Sequence, residues 1–306
     1  MKKKWLTLGS AVGISCVVMV TTGLTALADT SGYDVYKSAL KNTKTVQSVS
    51  VEAQAELKDN GNALFSADGS VKASLENRTG SGTVTVAGNG TEQTVSFYNQ
   101  DKSTVIKSSA SDVYYLNQDQ KGKRGEWKKH DEQEMPQQVE SVIDALIGNL
   151  KDYVAMDTQP DGSKVVSAEL GSAQIPAVLN ALAPIAIKQA ANGHEHPGNR
   201  QNEGDRSELP FAKNFLKAQV PQLTQDIKIE KIAVQAAINP SNYIESQQAD
   251  LTVSGKDANG AAHEVTLHVN ANLSGYNSTT PDQVDLTGKN VQEIKRDFKG
   301  KHGKQD

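Results

Sequence analysis

The chain has 306 residues, with 32 lysines and arginines against 36 aspartates and glutamates, a net charge of −4 with histidine neutral, and one cysteine. A weakly acidic balance bears on solubility and argues against nucleic acid as a partner. A single cysteine excludes an internal disulfide framework, so folding rests on a hydrophobic core alone.

Lys2, Lys3 and Lys4 precede an apolar run from Trp5 that closes on Ala26-Leu27-Ala28. A basic start, an apolar stretch and a small-residue end are the layout of a secretory signal peptide. Residues 1–28 are therefore read as a leader cleaved after Ala28, and the mature protein is expected outside the cell or in its envelope. Two alternatives stay open. Cys16 could carry a lipid, although Gly13-Ile14-Ser15 lacks the leucine-like residue expected three positions before it. The run could also be a retained anchor, since a bilayer needs about 20 apolar residues.

After Asp29, Tyr33, Tyr36, Leu40 and Thr43 recur at helical spacing, with Lys37 and Lys41 turned outward. A strand follows at once, because Val49, Val51, Ala53, Ala55 and Leu57 alternate with polar residues, giving one apolar and one solvated face. Asp59-Asn60-Gly61-Asn62 supplies the positive-φ residues of a tight hairpin. The pattern repeats through Val71, Ala73 and Leu75, then Val84 and Val86, then Val95 and Phe97, Val105-Ile106, and 113–116. Short alternating runs joined by such turns describe an antiparallel meander.

Val139, Val142, Ile143, Leu146, Leu150 and Tyr153 then mark one side of a helix over 137–153. A strand pair is expected around Asp161-Gly162, and a second long helix over 175–191, started by Pro176 and kinked or split at Pro184. Residues 193–210 are polar and read as a flexible loop. The meander resumes with Ile227, Ile229, Val234, Ala236 and Ile238, whose phase slips near Lys231-Ile232 as at a bulge. Ala249, Leu251 and Val253, then Val265, Leu267, Val269, Ala271 and Leu273, make the last two strands. Residues 278–306 read as a polar, partly disordered basic tail, which leaves 29–277 as one domain.

The expected fold class is α+β, a large curved antiparallel sheet, unclosed and half-barrel-like, of about nine to eleven strands wrapped over about three or four helices. A wide sheet coated on one face leaves concave apolar area uncovered, and such area takes a ligand. The expected lining is Val51, Ala53, Ala55, Leu57, Val71, Ala73, Val95, Phe97, Val265, Leu267 and Val269. Small aliphatic side chains of this kind suit an acyl chain better than a polar metabolite.

The order of the Tyr33-Asp34-Val35-Tyr36 helix leading into 46–57, a run of strands, helices, and the closing strands from Ile238-Asn239-Pro240 to Leu273 resembles the LolA-like superfamily of lipoprotein and lipid carriers in cell envelopes. The resemblance covers 33–273 as topology and pattern, without a diagnostic motif. It implies a lipid or lipoprotein ligand held between the concave sheet face and the helices.

Catalytic and metal motifs fail on inspection. His194-Glu195-His196 offers only part of a tetrahedral zinc set, and His263 and His268 point to opposite faces of their strand. Asp257-Ala258-Asn259-Gly260 lacks the glutamate that closes a calcium loop and reads as a hairpin turn. Gly88-Asn89-Gly90 has Gln93 where a dinucleotide loop needs glycine, and no Gly-x-Ser-x-Gly elbow occurs. No enzyme activity and no cofactor are expected. Two basic runs, one of Lys121, Lys123, Arg124, Lys128, Lys129 and His130 around Trp127, the other of Lys295, Arg296, Lys299, Lys301 and Lys304, suit an anionic membrane or wall polymer. Besides a lipid carrier, the sequence allows a non-enzymatic interaction module with a filled core that binds wall or protein partners.

Overall fold

The computed structural model describes residues 31–88, 90–100, 103–118, 153–177, 179–181, 184 and 221–294. The leader, the basic run 121–130, the loop 193–210 and the end of the tail lie outside the described residues. Within them, one helix, α1 (Gly32–Thr43), precedes a first meander of β1 (Ser48–Asp59), β2 (Asn62–Ser74), β3 (Thr79–Gly88), β4 (Thr91–Gln100), β5 (Ser103–Ser108) and β6 (Tyr114–Gln118). A second meander holds β7 (Val154–Thr158), β8 (Lys164–Gly171), β9 (Gln225–Ile238), β10 (Ile244–Lys256) and β11 (Ala262–Ser274), and β12 (Val291–Glu293) ends the series.

All twelve strands join one open sheet in the order β12-β6-β5-β4-β3-β2-β1-β11-β10-β9-β8-β7. Every pairing is antiparallel except that of β12 with β6. The two meanders meet where β1, the first strand, pairs with β11, from Ser50 opposite Ser274 to Asp59 opposite Val265. Turn chemistry sets the hairpins. Asn60 and Gly61 take φ of 49° and 80° between β1 and β2, the two positive angles of a turn whose twist matches the strands. The phase slip in β9 is a bulge, because Lys231 faces Thr252 and Ile229 faces Val253, which leaves Glu230 as the extra residue.

Helix α1 starts where the Ser31 hydroxyl accepts the Asp34 N–H at 3.3 Å, an N-cap that fixes its first turn. Its apolar side presses Ala39 and Leu40 against Val166 of β8, Ile238 of β9 and Ile244, with Tyr36, Val154, Met156 and Leu273 packed around them. Thr43 accepts the Ile244 N–H at 3.0 Å, so the helix is tied to β10 as well as packed on it.

The expectation of three or four helices beneath the sheet is not supported; among the described residues α1 is the one full helix. The expected helix over 137–153 lies outside the described residues except for Tyr153, which leads into β7. There Val154 and Met156 alternate and pair with Ala168 and Val166, so the chain is extended directly beyond the expected helix. Of the expected helix over 175–191, Ile175 belongs to a turn closed on the Gly171 carbonyl at 3.2 Å, and the N–H groups of Leu179 and Asn180 reach back to the Pro176 carbonyl.

Residues 278–294, read from the sequence as the start of the tail, cross the sheet as a strap. Thr279 N–H donates to Ser48 Oγ at 3.0 Å, Asp282 N–H to Ser81 Oγ at 2.8 Å, and Val284 N–H to Gln100 Oε1 at 2.8 Å. Ser81 and Val105 are almost fully buried at this end of the sheet. The strap then delivers β12 to the outer edge of β6.

Candidate functional site: an apolar sheet face with a polar end

Side chains directly opposite in a sheet share a face, so the register decides which residues meet. Val51 faces Leu273 and Val71, and the row continues through Gly82 to Phe97. Ala53 faces Ala271 and Gly69, which leads through Val84 to Val95. Ala55 faces Val269 and Ala67; Leu57 faces Leu267 and Phe65. Ala73 lies opposite Val49, and Val265 opposite Asp59 and Val253. All eleven residues expected to line a ligand therefore stand on one face of the sheet.

That face is covered unevenly. At one end α1 covers Val166, Ile238 and Ile244, and Ala236 and Ala271 beside them are buried too. At the opposite, hairpin end a Cβ on Gly255 would lie 3.3 Å from Leu223 Cδ1 and 3.4 Å from Ile227 Cγ1, and Leu223 and Val253 are buried. Between the two ends Ala249 and Leu251 are exposed, Leu251 to 36%, and Ala53, Ala55, Leu57 and Leu267 are half-buried. The stretch from Ala53 to Leu57 is about 13 Å long at ~3.3 Å per residue. A depression of about 370 Å³, by contrast, opens on the other face, lined by Glu52, Gln54, Asp68, Ser70, Thr83 and Asn272 together with Ala53 and Gly69. On the apolar face Val84, Phe97 and Val269 are buried, and among its described apolar residues exposure is confined to the β10 pair Ala249 and Leu251.

At its hairpin end the apolar face carries two part-buried ionisable groups. Asp59 continues the odd-numbered apolar series of β1, and His263 that of β11, where it lies opposite Gly255. His263 Nδ1 and Asp59 Oδ2 are 2.8 Å apart, each side chain only 17% exposed, and Asp257 Oδ2 lies 3.9 Å from His263 Nε2. Asp59 Oδ1 and His263 Nε2 are buried and have no hydrogen-bond partner among the described residues. Asp257 itself shapes the β10–β11 turn, since its Oδ1 accepts the N–H groups of Ala261 and Asn259 at 2.9 Å each. The Ala261 N–H chiefly, then the Asn259 N–H and side chain and the nearby His263, hold its carboxyl below the usual range. At the α1 end the polar group on this face is satisfied, for Gln247 Nε2 donates to Tyr36 Oη at 2.7 Å. Burial pushes the Tyr36 hydroxyl up despite that bond.

His268 points to the polar face, where its Nδ1 meets Asp250 at 2.6 Å. Sequence reading placed the two histidines on opposite faces but missed Asp59, 204 residues from His263. The available signal was phase, a carboxylate continuing an inward apolar series. Among the described residues no group of three His, Cys, Asp or Glu side chains is arranged to hold a metal ion, and no helix is long and apolar enough to cross a membrane.

At the far edge, β6 and β12 run parallel, with Glu293 opposite Leu116. Gln118 and Ile294 therefore lie at the same edge of the sheet.

No family model and no curated protein matches this chain. Eight chains of solved structures match it. One is a DUF1329 family protein from Desulfovibrio piger, 8% identical, with 79% of this chain and 90% of that chain covered at a TM-score of 0.20. A superposition that poor carries no argument for shared architecture or shared activity.

Proposed function

We propose that this chain is an exported, non-enzymatic cell-envelope protein that binds the acyl chain of a lipid or lipoprotein on the apolar face of its sheet. The observation that carries the reading is the exposure of Ala249 and Leu251 in the middle of that face, between the end covered by α1 and the end covered by Leu223. Apolar area left to water gains about 25 cal/mol for each Å² that a ligand covers. The LolA-like order of elements agrees with a carrier, and the leader-like residues 1–28 with export.

Ala55→Trp tests the reading, because Ala55 lies between Ala67 and Val269 in the open stretch. The bulk should lower the affinity for an environment-sensitive acyl probe at least about tenfold, equivalent to about 1.4 kcal/mol, with the melting temperature retained. A lowered melting temperature, with no probe bound by the parent protein, instead identifies a packed interaction module.

A second reading has its own observation. The parallel pairing of β12 with β6 brings together at one edge the strands that precede the two basic runs in sequence, and those runs suit an anionic membrane or wall polymer. Lys107 and Lys289 flank the Tyr114 ring at that edge, 5.6 and 5.9 Å from its centroid, and extend the positive charge onto the sheet.

A further inference from the structure

We propose that Asp59 and His263 form a headgroup subsite at the hairpin end of the apolar face, selective for amphiphiles whose head donates hydrogen bonds, an ammonium or a hydroxyl, and set against carboxylate heads. The proposal rests on the reading of that face as an acyl-binding surface and names the ligand class for it.

The physical basis is an imbalance between the two ends of one face. Near α1 the inward polar groups are paired, Gln247 with Tyr36 and the Ile244 N–H with Thr43. At the hairpin end Asp59 Oδ1 and His263 Nε2 are buried without a hydrogen-bond partner among the described residues. Buried polar atoms are nearly always hydrogen-bonded, so Asp59 Oδ1 favours a ligand that brings a donor to it.

Its chemistry follows from the pair. Asp59 Oδ2 accepts a hydrogen bond from His263 Nδ1–H at 2.8 Å. The second carboxylate oxygen, Oδ1, is an acceptor with no donor among the described residues. That oxygen, with the Asp257 carboxylate 3.9 Å from the far side of the His263 ring, welcomes N–H or O–H groups and repels an anion. The neighbouring rows are hydrocarbon, Val265 beside Asp59 and then Leu57 beside Leu267. An amphiphile with its head at Asp59 lays its chain along β1 and β11 toward the open stretch. Leu223, packed over Gly255 opposite His263, shields the head from water.

The test measures dodecylamine, dodecanol, dodecanoate and the uncharged dye Nile red on the full exported chain and on D59N, with D250N as a charge-matched control on the other face. Asn at position 59 keeps an acceptor for His263 Nδ1–H but turns the orphaned oxygen into an amide donor. The parent protein should bind dodecylamine and dodecanol more tightly than dodecanoate. D59N should weaken dodecylamine by about tenfold, leave Nile red unchanged, and D250N should change neither. If Nile red binds but the amine preference is absent, survives D59N, or falls equally in D250N, the subsite is wrong while the acyl-binding face stands. If no probe binds the parent protein, both are wrong.

Discussion

At Gly82 the sheet has no room for a side chain, since a Cβ there would lie 2.6 Å from the Phe97 ring and 2.7 Å from the Ser70 carbonyl oxygen. The ring of Phe97 lies over the glycine it pairs with, and the backbone on the other side cannot yield. Gly82→Ala should therefore destabilise by about 1–3 kcal/mol, read as a lower urea midpoint with an unchanged slope. Tyr276 gives a pH prediction. Burial pushes its hydroxyl up to about 12 from the ordinary tyrosine value of 10.0, while it stacks on Tyr243 at 4.8 Å and donates to the Ile244 carbonyl. The folded chain holds this proton more tightly than the unfolded one, so the contribution is complete below pH 10.0 and lost as pH rises toward about 12. Melting temperatures should fall across that window, and Tyr276→Phe should flatten the fall. Neither residue stood out in the sequence, because a glycine in a strand and a tyrosine after one acquire their roles from partners on other strands.

Elements were far more legible. Alternation and turn residues located eleven strands, and a phase break in β9 located its bulge, because these features need only local geometry and a choice of face. The strap was not legible. Residues 278–290 have no periodicity, and their hydrogen bonds go to Ser48, Ser81 and Gln100 on distant strands. A chain ended after Asn277 should be less stable than one ended after Ile294 by about 2–4 kcal/mol, the worth of several buried hydrogen bonds. Equal urea midpoints for the two would show that the strap contributes nothing. The one β12 pairing is likewise invisible in three residues of sequence, since an edge strand so short has no pattern of its own.

At the scale of the molecule, the sequence by itself determined the strand-rich character, the two faces of each strand and the leader-like start, because side-chain alternation and turn residues are written along the chain. It also determined that eleven named aliphatic and aromatic residues could share one face. Only the tertiary structure decided that β1 pairs with β11, and that one pairing unites the two meanders into a sheet and lines up Val51 with Leu273 and Leu57 with Leu267. It also decided how the face is covered, by α1 at one end and Leu223 at the other, with Ala249 and Leu251 left open between them. The meeting of Asp59 with His263 belongs to the same class. Pairing between strands far apart in the chain is chosen by the summed burial and hydrogen bonding of the whole sheet, and no single stretch of sequence carries that sum.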